Sequence, residues 1–369
     1  MVFSMILCPL AALYGFGRYI TTAVALWRLI EHNYGNSGGG QTTNMNPALR
    51  VLYILALLQG AVFCYRGLLR FAGKRIASQV AQGYKFEQGD HSSVLGYLRE
   101  ARIGCEKNPS FARGRNLITY ALDLMESHSP DDLLSGTRIM DTLIIYDESA
   151  QSPERHGEQK GTRMQIVTER LIGSSSSGKI LQKLLKALGY RGSSLCDTEM
   201  RKRAARIVYA LAGDIRLKQI PGAIVCISSL LGASLYQEVN EYKDLVLQGL
   251  GIIEKLATDE DNCRVMSDTD DLASMIIRPL SCDLLHRFNH GEWSNIVDAS
   301  LRVLCTWLDT AMGKSGDKLC SQIALNKEAI SAMMEILTCT GCNEYDTLRT
   351  LAMKVLITQI PKQLSGARN

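Results

Sequence analysis

The chain has 369 residues, of which 46% are hydrophobic and 21% charged, and its net charge is +4. This length can bury a large core, and the mild basicity gives no reason to expect a nucleic-acid-binding protein. The 11 cysteines form an odd set spread from Cys8 to Cys342, which argues against a secreted disulfide framework and favours reduced thiols in the cytosol. Only 8 prolines occur among abundant helix formers, so the composition favours helices.

The first predicted element is a hydrophobic helix at about residues 3–28. Met1 to Gly17 contains no charged residue, and the apolar character resumes after Arg18 and continues to Arg28. A secretory signal peptide would begin with a basic region and end in a small-residue cleavage site, and neither is present. We therefore predict an uncleaved anchor in which the Arg18 stem extends toward the headgroups. The chain begins almost directly at this run, so a truncated N-terminus is one expectation.

A second hydrophobic helix is predicted at about residues 48–69. Val51 to Tyr65 contains no charged residue, and a helix from Ala48 to Leu69 would be about 33 Å long. That length exceeds the bilayer core of about 30 Å. Together the two runs predict an N-terminal hydrophobic helical hairpin in a membrane-anchoring region at residues 1–75. The alternative is that both runs are buried helices of a soluble body.

The distribution of positive charge predicts the orientation of this hairpin. Arg66, Arg70, Lys74 and Arg75 follow the second run, whereas the linker from residue 33 to 47 has no Lys or Arg. Cytoplasmic loops carry the excess of Lys and Arg. We therefore predict a membrane protein whose C-terminal body is cytosolic.

A polar segment interrupts the body at residues 147–162, DESAQSPERHGEQKGT. It has few large apolar residues and is longer than most connections between helices. We predict an inserted loop, with Ser152 and the run from Ser174 to Ser177 as candidate phosphorylation sites.

The segment GSSSSGK, from Gly173 to Lys179, has the glycine and lysine spacing of a phosphate-binding P-loop. A working P-loop needs Ser or Thr after the lysine to hold magnesium, and Ile180 stands there. It also needs a preceding strand, but Glu169 and Arg170 interrupt the segment before it, which has a helical pattern. We therefore predict a flexible loop that caps a helix beginning near Gly178, and not a nucleotide site.

The region from residue 163 to 206 carries ten basic residues against three acidic ones. In the helix predicted after Gly178, the apolar face is formed by Ile180, Leu181, Leu184 and Leu188. The basic residues suggest a candidate surface for an anionic partner, either an acidic or phosphorylated peptide or membrane lipid. Nucleic acid is not expected because no aromatic residues interleave with the basic ones, and the alternative is a solvated face. The candidate residues are Lys179, Lys183, Lys186, Arg201, Lys202 and Arg203.

Three segments of the body are similar to one another in sequence and begin at Arg201, Leu247 and Asp298. A fourth segment, less similar, begins at Leu348. Aligning Ile207, Ile252, Val303 and Val355 gives steps of 45, 51 and 52 residues. The period of HEAT and armadillo repeats is about 40–47 residues, and loop insertions can add to it. A single amphipathic helix pair cannot bury its apolar face alone, so neighbouring repeats must stack. The pattern predicts an all-α, armadillo/HEAT-like helical solenoid at residues 76–369.

Two short motifs could hold metal, and each is incomplete by itself. His286 and His290 are four residues apart, but Arg287 replaces the glutamate of the zinc-peptidase pattern. Cys339 and Cys342 form one Cys-x-x-Cys pair, and a zinc ribbon needs a second such pair. Cys282, Asp283 and Glu292 lie near enough to the histidines in the sequence to offer a third ligand. We predict no metal site, with the two cysteines reduced at a helix end.

The acidic residues between Asp259 and Asp271 do not fit a calcium loop. The EF-hand loop needs glycine at its sixth position and glutamate at its twelfth, and both are missing here. We predict that these residues form turns and caps between helices.

The run AARIVYALAGDIRLKQIPGAIVCISSLL, followed by LVLQGLGIIEKLATDEDNCRVMSD, resembles the plant-specific, membrane-anchored armadillo-like proteins described as brassinolide-enhanced. The segments ALYGFGRYITTAVALWRLIEHNYG and ALLQGAVFCYRGLL resemble the hydrophobic N-terminal region of that family. The resemblance covers nearly the whole chain. It implies an armadillo-type fold, an N-terminal membrane region and no known enzymatic activity, and the family has no catalytic motif to carry over.

The sequence therefore predicts a non-enzymatic scaffold, tethered to a membrane, that binds a protein partner through its cytosolic repeat surface. We expect no catalytic residue, no cofactor and no metal. One alternative is a soluble helical-repeat interaction protein whose N-terminus is a buried cap. Another is an enzyme with a degenerate nucleotide or metal site.

Overall fold

The computed structural model describes residues 17, 19–31, 45–86, 90–149, 165, 167–172, 177–190, 194–232, 240–281, 284–287, 290–311 and 313–366. Within these ranges the secondary structure is helical, with 3-10 turns, and contains no strand. The prediction of an all-α fold is confirmed.

The chain divides into two compact units, residues 1–83 with 94–107, and residues 84–93 with 108–369. The first unit contains a helical segment at residues 19–31, helix α1 (Met45–Gly83) and most of helix α2 (His91–Lys107). The predicted boundary between residues 75 and 76 therefore falls inside α1. Of the first predicted hydrophobic helix, residues 3–16 and Arg18 lie outside the described residues.

Helix α1 exposes a large apolar surface. Although the helix is apolar, only a few of its side chains are buried, among them Ala77 and Ala81. Between 44% and 67% of each of several large side chains is exposed, namely Val51, Leu52, Ile54, Leu55, Leu58, Val62, Tyr65, Leu68 and Phe71. In a soluble unit such residues would be expected to pack against a core.

The second unit contains the remaining labelled helices. In chain order they are α3 (Leu117–Glu126), α4 (Pro130–Ser149), α5 (Ser177–Leu188), α6 (Leu195–Leu211), α7 (Ala223–Ser228), α8 (Asn240–Leu256), α9 (Glu260–Asp268), α10 (Leu272–Ser281), α11 (Leu284–Arg287), α12 (His290–Thr310), α13 (Lys314–Leu325), α14 (Lys327–Thr338) and α15 (Asp346–Gly366). Residues 167–172 are also helical.

Helix α4 continues to Ser149, so the first three residues of the predicted loop at 147–162 belong to this helix. The rest of that loop, including Ser152, and residues 174–176 of the serine run lie outside the described residues. Ser177 is the first residue of α5.

The four similar segments form helices that pack one on the next. Helix α6 packs against α8, α8 against α12, and α12 against α15. The four aligned residues, Ile207, Ile252, Val303 and Val355, are each completely buried. The weak repeat in the sequence therefore marks core positions in four helices that pack in series.

A second set of helices covers the first. Helix α5 packs against α6, α10 against α12, and α14 against both α10 and α15. The predicted apolar face of α5 is confirmed, since Ile180, Leu181, Leu184 and Leu188 are each no more than 2% exposed. Burying side chains of this size stabilises the fold by about 1.5–3 kcal/mol each.

Side-chain caps begin several helices. The Asn116 side chain accepts a hydrogen bond from the Thr119 backbone N–H and forms a capping box at the start of α3. The Asp259 carboxylate accepts from the Asn262 backbone N–H at 2.9 Å and begins α9. Because such side chains satisfy backbone N–H groups that have no partner within the helix, they fix where the helix starts. The prediction that Asp259 belongs to a cap is confirmed.

Candidate functional site

The GSSSSGK segment leads into the start of helix α5. Ser177 begins the helix, and Ile180 is only 2% exposed because it packs into the core. Residues 167–172, which precede the segment, are helical, and Val167 and Leu171 among them are buried. Gly173 to Ser176 lie outside the described residues. The predicted start of a helix near Gly178 is confirmed, and Ile180 cannot supply the hydroxyl that a P-loop directs at magnesium.

Lys183, one of the six candidate basic residues, is engaged within the fold. Its Nζ atom donates hydrogen bonds to the backbone carbonyls of Met125, Glu126 and Ser127, at 3.1, 2.8 and 2.7 Å. The last carbonyls of a helix have no partner within that helix, and a cation there also interacts favourably with the helix dipole. Lys183 therefore caps the end of α3 from α5.

Arg201 and Arg203, which the sequence suggested as partner-binding residues, are buried. Arg201 is 9% exposed and donates to the Ser229 carbonyl at 3.0 Å. Arg203 is 6% exposed and lies 3.2 Å from carboxylate oxygens of both Asp90 and Asp141. The prediction of a partner surface is therefore corrected at these two positions, since both guanidinium groups lie inside the fold.

Carboxylates inside and outside the basic region pair with arginines of the second unit. Arg206 donates to Asp141 in a bidentate contact at 2.7 and 2.5 Å, and Asp141 is completely buried. Arg138 donates two hydrogen bonds of 2.7 Å to Glu199. This hydrogen bonding lowers the pKa of Glu199 and raises that of Arg138.

The remaining candidates are accessible to different extents. Lys179 and Lys186 are exposed on α5, and Lys202 is partly buried on α6. The six candidate residues therefore do not form one accessible surface. A surface for an anionic partner, if these residues form one, depends on Lys179 and Lys186.

The two incomplete metal motifs lie next to each other in the structure. His286 lies in α11 and His290 begins α12. Helix α14 ends at Thr338, so Cys339 follows it directly, and Cys342 lies in the 3-10 turn Gly341–Glu344. The prediction that the cysteines lie at a helix end is confirmed. The four possible ligand atoms all lie within 4.8 Å of one another.

Each cysteine in this cluster contacts one histidine. Cys339 Sγ lies 3.4 Å from His290 Nε2, and Cys342 Sγ lies 3.5 Å from His286 Nε2. The two imidazole rings meet edge to face, with their centroids 5.3 Å apart. Cys342 is completely buried, and burial together with the hydrogen bond to Cys339 raises the pKa of its thiol to about 12.

Neither motif by itself predicts this juxtaposition, because each supplies only two ligands. The available signal was the pair of motifs: two histidines in one short segment and two cysteines in another supply four ligands together. Of the three further candidate ligands for the histidines, Cys282 and Asp283 lie outside the described residues, and so does the side chain of Glu292.

No protein-family model, curated protein or solved structure matches this chain.

Proposed function

We propose that this protein is a non-enzymatic scaffold, tethered to a membrane, that binds a protein partner through a stack of helical repeats. The observation that carries the proposal is the exposed apolar surface of α1. The segment Pro47–Gly83 is long and apolar enough to cross a membrane, and only 6% of its most apolar stretch is buried. Leaving this surface in water would be costly, at about 25 cal/mol for each Å² of apolar area.

The length of α1 is consistent with a span that continues beyond the bilayer. Its 39 residues extend for about 58 Å, nearly twice the hydrocarbon thickness of about 30 Å. The part of the helix that leaves the membrane would contain the basic residues Arg66, Arg70, Lys74 and Arg75. Positive residues favour the cytoplasmic side, which supports a cytosolic position for the C-terminal body.

Contacts within the first unit support a helical hairpin. Thr22 lies against Gly60, and the Tyr19 hydroxyl lies 3.6 Å from the position of a Cβ atom added to Gly67. These two contacts imply antiparallel directions for residues 19–31 and α1. Gly60 and Ala25 are both buried although most of their neighbours are exposed. Small residues at close helix contacts are typical of helices that associate in membranes.

The serial packing of α6, α8, α12 and α15 supports a solenoid of armadillo type in the second unit. In such a solenoid each repeat contacts its neighbours, and the stack presents an extended surface on which partners bind. The resemblance to the brassinolide-enhanced family supports the same proposal. The exposed Lys179 and Lys186 favour an acidic or phosphorylated partner.

Extraction of native membranes with alkaline carbonate tests the tether. The full chain should remain in the membrane pellet. The double variant Leu55→Arg/Leu58→Arg should move toward the supernatant, since each arginine near the middle of a span costs about 2.5–3.5 kcal/mol. Leu325→Arg is the matched control, because Leu325 is 81% exposed in the second unit. Release of the unmodified chain by carbonate would disprove the tether and favour a soluble repeat protein.

A further inference from the structure

The side chains of His286, His290, Cys339 and Cys342 converge from helix α11, the start of α12 and the turn after α14. We propose that these four side chains bind one Zn²⁺ ion. The site is independent of the proposed membrane tether, since all four residues belong to the second unit.

The distances between the ligand atoms fit a tetrahedral zinc site. Zinc binds sulfur at about 2.3 Å and histidine nitrogen at about 2.0–2.1 Å, which places neighbouring S and N ligands about 3.6 Å apart in a tetrahedron. The two S···N distances here are 3.4 and 3.5 Å. A single S–H···N hydrogen bond has a similar length, so the feature that distinguishes a metal site here is that all four ligand atoms lie within 4.8 Å of one another.

The chemical types of the four ligands indicate which metal the site would bind and whether that metal would be structural or catalytic. Two thiolates and two imidazoles are a common tetrahedral set for zinc, whereas calcium and magnesium prefer oxygen ligands. Four protein ligands leave no open coordination position, so the site is structural and not catalytic. When zinc binds, both thiols lose their protons to solvent and bind as thiolates, while the imidazoles bind in their neutral form.

Two residues next to the four ligands, Glu335 and Gly341, are also consistent with a zinc site. His286 Nε2 faces Cys342, and the other ring nitrogen, Nδ1, lies 3.8 Å from a carboxylate oxygen of Glu335. A carboxylate at the second nitrogen of a metal-bound histidine orients the ring and raises its basicity. Gly341 also allows the cysteine turn to approach, because a Cβ atom there would lie 3.1 Å from the His290 ring.

Zinc at this position would connect parts of the fold that are distant in the chain. The two Cys–His contacts join residues separated by 49 and 56 positions. Helix α12 packs against α15, and α14 packs against both α10 and α15. The metal would therefore hold α11 and the start of α12 against the turn that follows α14. The free energy of zinc binding would add to the stability of the folded state.

The first experiment measures metal in the full-length chain, purified in detergent without chelator. Elemental analysis should find one zinc per chain. After removal of zinc, titration with Co²⁺ alone should give the strong visible absorption of tetrahedral cobalt and a thiolate-to-cobalt charge-transfer band. A chain that contains no zinc and develops neither spectral feature would overturn the proposal. A disulfide between Cys339 and Cys342 in the protein as isolated, before any zinc is removed, would overturn it too.

Variants then locate the site. Cys339→Ser and His290→Gln should each abolish the stoichiometric metal and the cobalt spectrum of the wild type. Cys196→Ser and His128→Gln are matched controls, because both residues are exposed and lie outside the cluster. Equal metal content in Cys339→Ser and Cys196→Ser would overturn the assignment.

The ligand variants could lose zinc simply because they misfold, so a further variant changes a residue beside the site and leaves the ligands in place. Glu335→Gln retains all four ligands and should lower zinc affinity by about 10–100-fold, the usual effect of removing an outer carboxylate. Circular dichroism should show that this variant keeps its helical content. Unchanged zinc affinity in folded Glu335→Gln would contradict the proposed role of Glu335, whereas the cobalt titration of the unmodified chain decides the site itself.

Discussion

Lys255 in helix α8 donates a hydrogen bond to the backbone carbonyl of Tyr209 in helix α6, at 3.0 Å. The same Nζ atom lies 3.7 Å from the centroid of the Tyr209 ring. One ammonium group therefore satisfies a carbonyl in the last turn of α6 and lies over an aromatic face. This contact joins two of the helices that the repeat pattern relates.

Replacing Lys255 by methionine should keep most of the packing of its stem and remove both polar contacts. We expect Lys255→Met to lower the free energy of unfolding by about 2 kcal/mol, since it loses a charged hydrogen bond and a cation–π contact. Denaturant unfolding followed by circular dichroism measures the change. Lys314→Met, at an exposed lysine, should unfold like the wild type. If Lys255→Met and Lys314→Met lost the same free energy of unfolding, the two polar contacts of Lys255 would not stabilise the fold.

Gly136 in α4 allows close contact with α3. A Cβ atom at this position would lie 2.6 Å from the Ala121 carbonyl oxygen, which belongs to the backbone and cannot rotate away. Helix propensity alone favours alanine over glycine by about 1 kcal/mol. We nevertheless expect Gly136→Ala to lower stability by about 1–3 kcal/mol because the helices must move apart.

The matched control for Gly136→Ala is Gly178→Ala in α5, where nothing lies within 4 Å of an added Cβ atom. Thermal unfolding of Gly178→Ala should match or exceed that of the wild type. If both alanine variants were stabilised, the close contact between α3 and α4 would be disproved.

Glu199 should make the free energy of unfolding depend on pH in the acidic range. The hydrogen bond from Arg138 lowers the pKa of Glu199 in the folded state. Its stabilising contribution is therefore complete above the unfolded pKa of about 4.3 and is lost as the pH falls through the lowered folded value. Urea unfolding at a series of acidic pH values should show a steeper loss of stability for the wild type than for Glu199→Gln.

The control for the acid experiment is Glu328→Gln, which changes an exposed glutamate at the start of α14. This variant should keep the pH dependence of the wild type. A Glu199→Gln variant with an unchanged pH dependence would contradict the pairing of Glu199 with Arg138.

Lys183 should differ from the other lysines of α5. Lys183→Glu removes hydrogen bonds to three carbonyls and places a negative charge at the end of α3, so we expect stability to fall by about 3 kcal/mol. The double variant Lys179→Glu/Lys186→Glu should fold like the wild type because both residues are exposed. Thermal unfolding compares the two variants. If Lys183→Glu melted at the same temperature as the double variant, the capping role of Lys183 would be disproved.

Several features could be predicted from local pattern. Apolar residues at helical spacing determine which face of an amphipathic helix is buried, so the core positions Ile207 and Leu184 could be predicted without knowing their neighbours. The Asp259 cap is equally local, because a capping side chain bonds to a backbone N–H only three residues away. Helix α4 ends at Ser149, three residues inside the loop predicted from residue 147, since helix boundaries depend on weaker signals than helix faces.

The positions of the charged residues could not be predicted in this way. Arg203 belongs to a basic run that has the composition of a solvated surface, yet Asp90 and Asp141 surround it within the fold. Even the nearer of these two carboxylates along the chain, Asp141, is 62 positions away. Burial of a cation is tolerated only when such partners are present. The sequence near Arg203 offers only Glu199, four residues earlier, and gives no sign of the two buried carboxylates.

The amino-acid sequence by itself determined the helical class of this protein, its repeating core positions and its apolar N-terminal run, because each depends on residues within a few turns of one another. Only the tertiary structure decided which cations are buried and that His286 and His290 meet Cys339 and Cys342. The two Cys–His contacts join residues 49 and 56 positions apart, and Arg203 and its buried partner Asp141 are 62 apart. Such distances follow from how whole helices pack rather than from the periodicity of any one helix.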